Sequence, residues 1–291
     1  FKKDQEYDII TEDRKNLDLL DFKQTNLFFE KNKPDYVILA AAKVGGIVAN
    51  SKYPVEFLID NLKIQNNVIE SCNNFNVKKL LFLGSSCIYP KNLPQPLREN
   101  DILSSYLEQT NEAYSIAKIT GYKLCSYYKK QYGKNFFTVM PSNLYGPNDN
   151  YHPQNAHALP MLIDRIHKAK MNGSKKVVVW GTGEPKREYL YSEDLAQVCK
   201  LLIEKKELEQ DIFNVGSGYE ISIKDLAELI KKVIGFDGDL YYDQSYPDGV
   251  MRKILDSTRL NNLIDWEFRT SMEEGIRKTY EDYIQRKENR K

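Results

Sequence analysis

A tyrosine and a lysine four residues apart, in Tyr114-Ser-Ile-Ala-Lys118, are a pair whose types and spacing point to chemistry. On a helix, residues four apart share a face. An ammonium beside a phenol favours the phenolate and draws its pKa from about 10 toward neutrality. Such a tyrosine can exchange a proton with a carbonyl oxygen while hydride reaches the carbonyl carbon. The spacing alone is common, and a half-buried tyrosine beside a solvated lysine is its ordinary explanation. Two further runs change the balance. Upstream, Gly84-Ser-Ser-Cys-Ile-Tyr-Pro90 ends an apolar stretch, and downstream Pro141-Ser-Asn-Leu-Tyr-Gly-Pro147 ends another. A serine hydroxyl at the first position can hydrogen-bond a substrate carbonyl beside the tyrosine. Three motifs at consecutive element ends, in this order, are far more specific than any one of them.

The elements that must hold these residues are legible as an alternation. Tyr7 to Ile10, Asp35 to Ala42, Lys79 to Ser85 and Phe136 to Pro141 read as strands, the last three as buried apolar runs. Helical spacing falls between them, over Thr25 to Lys31, Pro54 to Asn76 and Asn111 to Tyr132. Continuous apolar strands separated by helices make a parallel sheet covered on both faces, joined by right-handed crossovers. Ligands of such sheets bind at the carboxyl ends of the strands, where the motifs stand. The second half changes character. Helices are expected over Ala156 to Met171, Ser192 to Lys206 and Ser222 to Ile234, with strands at Lys176 to Trp180 and Leu240 to Tyr242. Thr270-Ser-Met-Glu273 reads as a capping box opening a last helix, with Met272, Ile276, Tyr280 and Tyr283 on one face. The basic tail Arg286 to Lys291 is expected to fray. The fold class is therefore α/β: a doubly wound Rossmann-type sheet over residues 1–150, to which later segments return, and a smaller α/β substrate lobe over 151–291.

Composition excludes several classes. A net charge of +1 over 291 residues advertises neither nucleic acid nor an acidic membrane surface. No apolar run approaches the ~20 residues of a membrane span. Cys72, Cys87, Cys125 and Cys199 are not closely spaced, and with three histidines no zinc pattern can be built, so no metal is expected. Free thiols in a reducing cytoplasm are the simplest reading.

Longer stretches resemble one family. Ala41-Ala-Lys-Val-Gly-Gly-Ile-Val-Ala-Asn50, Leu83-Gly-Ser-Ser-Cys-Ile-Tyr-Pro90, Asn111-Glu-Ala-Tyr-Ser-Ile-Ala-Lys118 and Asn143-Leu-Tyr-Gly-Pro147 are similar to the GDP-L-fucose synthase family of extended short-chain dehydrogenases. So are His152-Pro-Gln-Asn-Ala-His157, Val178-Val-Trp-Gly-Thr-Gly183 and Pro247-Asp-Gly249 with Arg252-Lys253. The resemblance runs from near residue 6 to the C-terminus. It implies 3,5-epimerisation and NADPH-dependent 4-reduction of GDP-4-keto-6-deoxy-D-mannose or a closely related GDP-4-keto sugar. It also implies that Cys87 and His157 are the acid/base pair for the epimerisation. Ser85, Tyr114 and Lys118 would serve hydride transfer. Leu83, Gly84, Ser85, Ser86, Lys118, Pro141, Ser142, Asn143, Leu144 and His157 would line the NADP site. Arg14 would meet the 2′-phosphate. Arg165, Trp180, Arg187 and Asp248 would hold the GDP-sugar, guanidinium forks suiting its pyrophosphate. A homodimer through the Asn111–Tyr132 helix and its neighbour is implied too.

The sequence departs from the family pattern at its start. A Rossmann site opens with a strand and a glycine-rich turn under the pyrophosphate. Neither is present, so a segment of roughly 20 residues is expected before Phe1. Two other readings stay open at this point. One is a nucleotide-sugar epimerase or 4,6-dehydratase that recycles its hydride, against which the Cys87/His157 pair argues. The other is a non-catalytic scaffold that has lost its cofactor loop, against which the intact Ser85, Tyr114 and Lys118 argue.

Overall fold

The structure is a computed structural model and describes residues 7–152, 156–246 and 248–288. Four parallel strands form the central sheet: β1 (Tyr36–Leu39), β2 (Lys79–Leu83), β3 (Phe136–Pro141) and β7 (Ile212–Val215), in the order β1-β2-β3-β7. Helix α1 (Phe22–Asn32) precedes β1, α2 (Ile47–Lys52) and α3 (Pro54–Asn74) run between β1 and β2, and α4 (Glu112–Tyr132) runs between β2 and β3. Every residue of β3 and β7 is buried, as the unbroken apolar runs require of strands covered on both faces. On one face α1, α3 and α4 bury Phe29, Ile69, Leu80 and Phe82. The other face packs Leu81, Phe137 and Phe213 against α6 (Ser192–Glu204) and α8 (Thr258–Leu263).

A second group of elements builds the substrate side. β4 (Asn143–Tyr145) and β10 (Arg252–Lys253) flank β6 (Lys186–Tyr191) in parallel, and β8 (Glu220–Ser222) pairs β6 antiparallel. β5 (Lys176–Trp180) pairs β9 (Asp239–Asp243). Helices α5 (Ala158–Met171), α7 (Ile223–Ile234) and α9 (Met272–Glu288) enclose their own core around Leu159, Ile163, Leu226, Ile230 and Ile276.

Three expectations need correction. Tyr7 to Ile10 forms no strand, because a strand exists only within a ladder and no described residue pairs with the free edge of β1. For the same reason β1 is not a buried strand: Tyr36 and Ile38 are exposed and the ladder stops at Leu39. The last helix is capped not by Thr270 but by Ser271, whose Oγ accepts from the Glu274 N–H at 3.3 Å. Residues 289–291 of the basic tail lie outside the described residues.

One packing detail fixes the site. Helix α4 crosses the sheet at Gly121, where a Cβ would fall 2.5 Å from the Phe82 ring and 2.8 Å from Gln65 Oε1. Only glycine permits that approach, and Gln65 of α3 locks it by donating to the Ala117 carbonyl at 2.7 Å. Helix α4 ends at Gly133 in the left-handed region (φ 66°), with its N–H returned to the Lys129 and Tyr128 carbonyls.

Candidate active site

β2 ends at Leu83 and the chain turns through a single 3₁₀ turn, Ser86–Ile88. Ser85 Oγ accepts from the Cys87 N–H at 3.2 Å and so caps that turn. Two side chains of α4 clamp it from above. Buried Lys118 donates to the Leu83 carbonyl at 2.7 Å, and buried Ser115 donates to the Cys87 carbonyl at 2.9 Å. The strand end is thus tied to the helix on both sides of Ser85. Leu83 and Ser85 are half-buried here, while Gly84 and Ser86 are buried.

Tyr114 stands one turn before Lys118. Its phenol hydrogen-bonds Ser85, and the Phe57 ring of α3 meets it edge-on at 6.4 Å. Burial, and then the neighbouring charge of Cys87, push the Tyr114 phenol above its ordinary range, with the Ser85 bond opposing them. This reverses the expected direction. The reason is geometric: the Lys118 ammonium is committed to the Leu83 carbonyl and lies 5.9 Å from the Tyr114 ring centre. Burial also brings the Lys118 ammonium down to about 8.

Cys87 is half-buried, whereas Cys72, Cys125 and Cys199 are buried. Burial pushes the Cys199 thiol up to about 12, the behaviour of an inert core cysteine. His157 precedes α5 in extended conformation and makes no capping bond. Desolvation, and then the positive charge of Lys253, hold its imidazole below the ordinary value. His157 is nevertheless exposed as a residue, so this desolvation is not that of a core side chain. Lys253 of β10 also donates to Cys87 Sγ at 3.9 Å, which links the two members of the expected acid/base pair.

The residues expected to hold the GDP-sugar form two neighbouring groups. Arg165 of α5 lies over the Trp180 ring at 4.2 Å, and Tyr246 stacks on the same ring at 4.5 Å and 10°. Asp248 accepts from the Thr182 N–H and Oγ at 2.7 and 2.8 Å, so its carboxylate closes the Gly181–Gly183 loop. Arg187 pairs in register with Lys253 across β6 and β10, and Gly249 leaves room beside its guanidinium. Pro153, Gln154, Asn155 and Pro247 of the quoted motifs lie outside the described residues.

On the expected cofactor side, Pro141 and Ser142 are buried at the carboxyl end of β3 and Leu144 is half-buried on β4. Asn143 donates to the Glu188 carbonyl at 2.8 Å. Ser142 Oγ is buried without a hydrogen-bond partner. A hydroxyl so placed is normally satisfied, and a polar ligand at the strand ends would satisfy it. Arg14 is exposed in a turn and is not brought to the other site residues. Among the described residues no three histidine, cysteine or carboxylate side chains gather as a metal site, and no helix is long and apolar enough to cross a membrane.

Residues 2–216 match the NAD dependent epimerase/dehydratase family. GDP-L-fucose synthase 1 of Arabidopsis thaliana is 52% identical over 274 residues, 94% of this chain and 84% of that protein. The chain belongs to the GDP-L-fucose synthase family. The GDP-L-fucose synthase of Escherichia coli (strain K12) is 45% identical over 96% of the chain and 89% of its own length. Among solved structures, a GDP-L-fucose synthetase from Naegleria fowleri bound to NADP superposes with a TM-score of 0.88 at 30% identity, covering 96% of this chain and 86% of that one.

Sequence reasoning within this family missed four residues. Ser115 sits inside the tyrosine–lysine motif, where its small hydroxyl at the helix face next to Cys87 was the available signal. Lys253 lay in the quoted Arg252-Lys253 pair but received no role. Phe57 and Tyr246 carried no signal, since an aromatic on a helix or loop reads as packing.

Proposed function

We propose that this chain converts GDP-4-keto-6-deoxy-D-mannose, or a closely related GDP-4-keto sugar, by epimerisation at C3 and C5 followed by reduction at C4. The observation that supports this reading is the gathering of Ser85, Tyr114, Lys118 and Cys87 at one strand end, with Lys253 in contact with Cys87 and its charge felt at His157. NADPH is the cofactor, and when bound it would supply the hydride for C4. Leu83 to Ser86, Lys118, Pro141 to Leu144 and His157 would hold its nicotinamide end, with Ser142 Oγ as the unsatisfied polar atom that such a ligand meets. Arg14 is proposed for the 2′-phosphate on sequence grounds.

The chain's own groups divide the work. The C3 and C5 protons are acidic because each is alpha to the C4 ketone. Cys87 takes such a proton, and the electron pair of the broken C–H bond moves toward the ketone oxygen. Ser85 and the raised, hence protonated, Tyr114 phenol face that oxygen and support the enolate. His157 returns a proton on the opposite face, which inverts the carbon. In the reductive half, Tyr114 gives its proton to O4, and the Lys118 ammonium steadies the resulting phenolate. Arg165 and Arg187 suit the pyrophosphate, Trp180 the base, and Asp248 the loop that closes over them.

We also propose the division into a cofactor lobe over 1–150 and a mainly substrate-binding lobe over 151–291, a homodimer, and a cytoplasmic location. Four free cysteines fit the last.

The deciding measurement is an NMR time course of the keto-sugar in D₂O without NADPH. Wild type is expected to exchange the C3 and C5 protons. Cys87→Ser is expected to lose that exchange, because a hydroxyl is far less acidic than a thiol of free pKa about 8.5. His157→Gln is expected to exchange without completing inversion. Wild-type exchange in Cys87→Ser would return this cysteine to packing.

A further inference from the structure

The contact between Lys253 and Cys87 is more than proximity. β10 is two residues long, yet its backbone is held on every side. Arg252 forms a fork with Glu220 at 2.7 and 2.6 Å. The Ile254 N–H donates to Gln95 Oε1 at 3.0 Å, and the Ile254 carbonyl accepts from the Leu97 N–H at 2.9 Å. The Leu255 N–H donates to the buried Glu188 carboxylate at 3.0 Å. A segment fixed in this way aims the one side chain it leaves uncommitted to another protein charge. Among the described residues, no carboxylate lies within ion-pair distance of the Lys253 ammonium. It reaches instead to Cys87 Sγ, at 3.9 Å, and its charge is felt at His157. Lysines along the rest of the chain are commonly paired, as Lys43 is with Asp60 and Lys91 with Glu108.

We propose that Lys253 is a positioning residue for the epimerisation, acting on both members of the proton-transfer pair. An ammonium that donates to the sulfur from a backbone held this firmly fixes where Sγ stands. The same positive charge disfavours the imidazolium, so that His157, once protonated, gives its proton up readily. A single cation therefore holds the sulfur in place and eases the release of the proton from His157. In the step itself the C–H bond breaks, the S–H bond forms and the electron pair passes to the enolate. Lys253 neither gains nor loses a proton. The charged or titratable groups facing the sulfur are Tyr114 from α4 and Lys253 from β10. Lys253 likewise faces His157. The inference rests on the proposed roles of Cys87 and His157.

The test uses the purified protein without cofactor or substrate. Because Cys72, Cys125 and Cys199 are buried, iodoacetamide reports on Cys87, and peptide mass spectrometry identifies the site. Lys253→Met is expected to slow Cys87 alkylation near neutral pH by roughly tenfold, as the loss of an adjacent cation does. Lys253→Arg keeps the charge and is expected to restore most of the rate, which a purely structural role would not do. Circular dichroism checks that both variants fold. C3 and C5 exchange in D₂O is then expected to fall in parallel with alkylation. Unchanged alkylation in Lys253→Met overturns the proposal, whether or not GDP-sugar binding is lost, and leaves Lys253 a ligand-binding cation at most. Failure of the underlying reading looks different: Cys87→Ser would then exchange like wild type, whatever Lys253 does.

Discussion

Tyr114 and Cys87 share one hydroxyl, that of Ser85, yet they are proposed for separate halves of the reaction. Tyr114→Phe removes the proton donor to O4 and leaves the thiol and imidazole in place. Reduction, followed as NADPH oxidation, is expected to fall about 10²–10⁴-fold, the usual worth of a positioned acid. Solvent exchange at C3 and C5 is expected to persist, and an equal collapse of both would defeat the division of labour. Lys118 gives the reductive half a pH limit. Its ammonium is brought down to about 8 by burial, so the charged form is present below that value and lost above it. Single-turnover reduction is therefore expected to decline as pH rises past about 8. A rate that climbed through that range would mean the neutral amine is the active form. At this scale Ser85, Tyr114 and Lys118 stand out in short local motifs, whereas Cys87 and His157 stand out only through the family resemblance. The sequence carried the direction of the Tyr114 shift badly. Burial and the target of one ammonium are properties of packing, which no spacing records. Lys253 was hidden for a similar reason, since it reaches Cys87 across 166 positions of sequence.

Strand β6 does for the substrate side what α4 does for the catalytic side. Its buried Glu188 accepts from the Gly218 N–H at 2.7 Å and the Leu255 N–H at 3.0 Å, while its carbonyl takes the Asn143 amide. One residue thus ties β4, the loop after β7 and the segment after β10. Burial raises its carboxyl from 4.5 to about 7, against those two hydrogen bonds. A carboxyl raised on folding contributes stability that is fully present below its unfolded value and lost as pH rises through the folded one. Glu188 should therefore cost the native state roughly 2–4 kcal/mol between about pH 4.5 and about pH 7. Glu188→Gln cannot ionise. Thermal melts at about pH 5 and about pH 8 are expected to show the wild-type advantage over the variant shrinking across that window. A gap independent of pH would mean the carboxyl does not titrate there. The elements themselves were legible, α4 and β3 almost to the residue, because apolar periodicity is a local property. The exceptions were pairing problems. Tyr7 to Ile10 has strand composition but no ladder to join, and Asp35 to Ala42 has buried composition but lies at an open edge. No local pattern encodes which neighbour a strand will have.

At the scale of the whole molecule the two groups of elements meet along the catalytic strand ends. Lys253 from the second half reaches Cys87 from the first, and its charge is felt at His157. That meeting leaves the far faces of α3 and α4 turned outward. Val55 and Ile59 of α3 are 62% and 43% exposed, and Ile116 and Tyr127 of α4 are 42% and 59% exposed. Scattered apolar residues on a surface need no explanation, but these lie on two adjacent helices joined by the Gln65–Ala117 bond. A second copy placing its own α3 and α4 against them would bury both pairs in a four-helix contact, with each residue counted twice by the two-fold axis. The geometry also has a catalytic consequence. Ile116 sits between Tyr114 and Lys118 on the same helix, so support of the outer face of α4 would help hold the inner one. Ile59→Glu combined with Ile116→Glu places charges at that contact. Losing even about 1.5 kcal/mol for each buried side chain, twice over, should weaken the dimer by more than ~10²-fold. Sedimentation equilibrium is expected to find the wild type as a dimer and the double variant as a monomer. The monomer should still alkylate at Cys87, because the contacts of that sulfur lie on the other side of α4. A double variant that sediments as the wild-type dimer would place the second copy elsewhere.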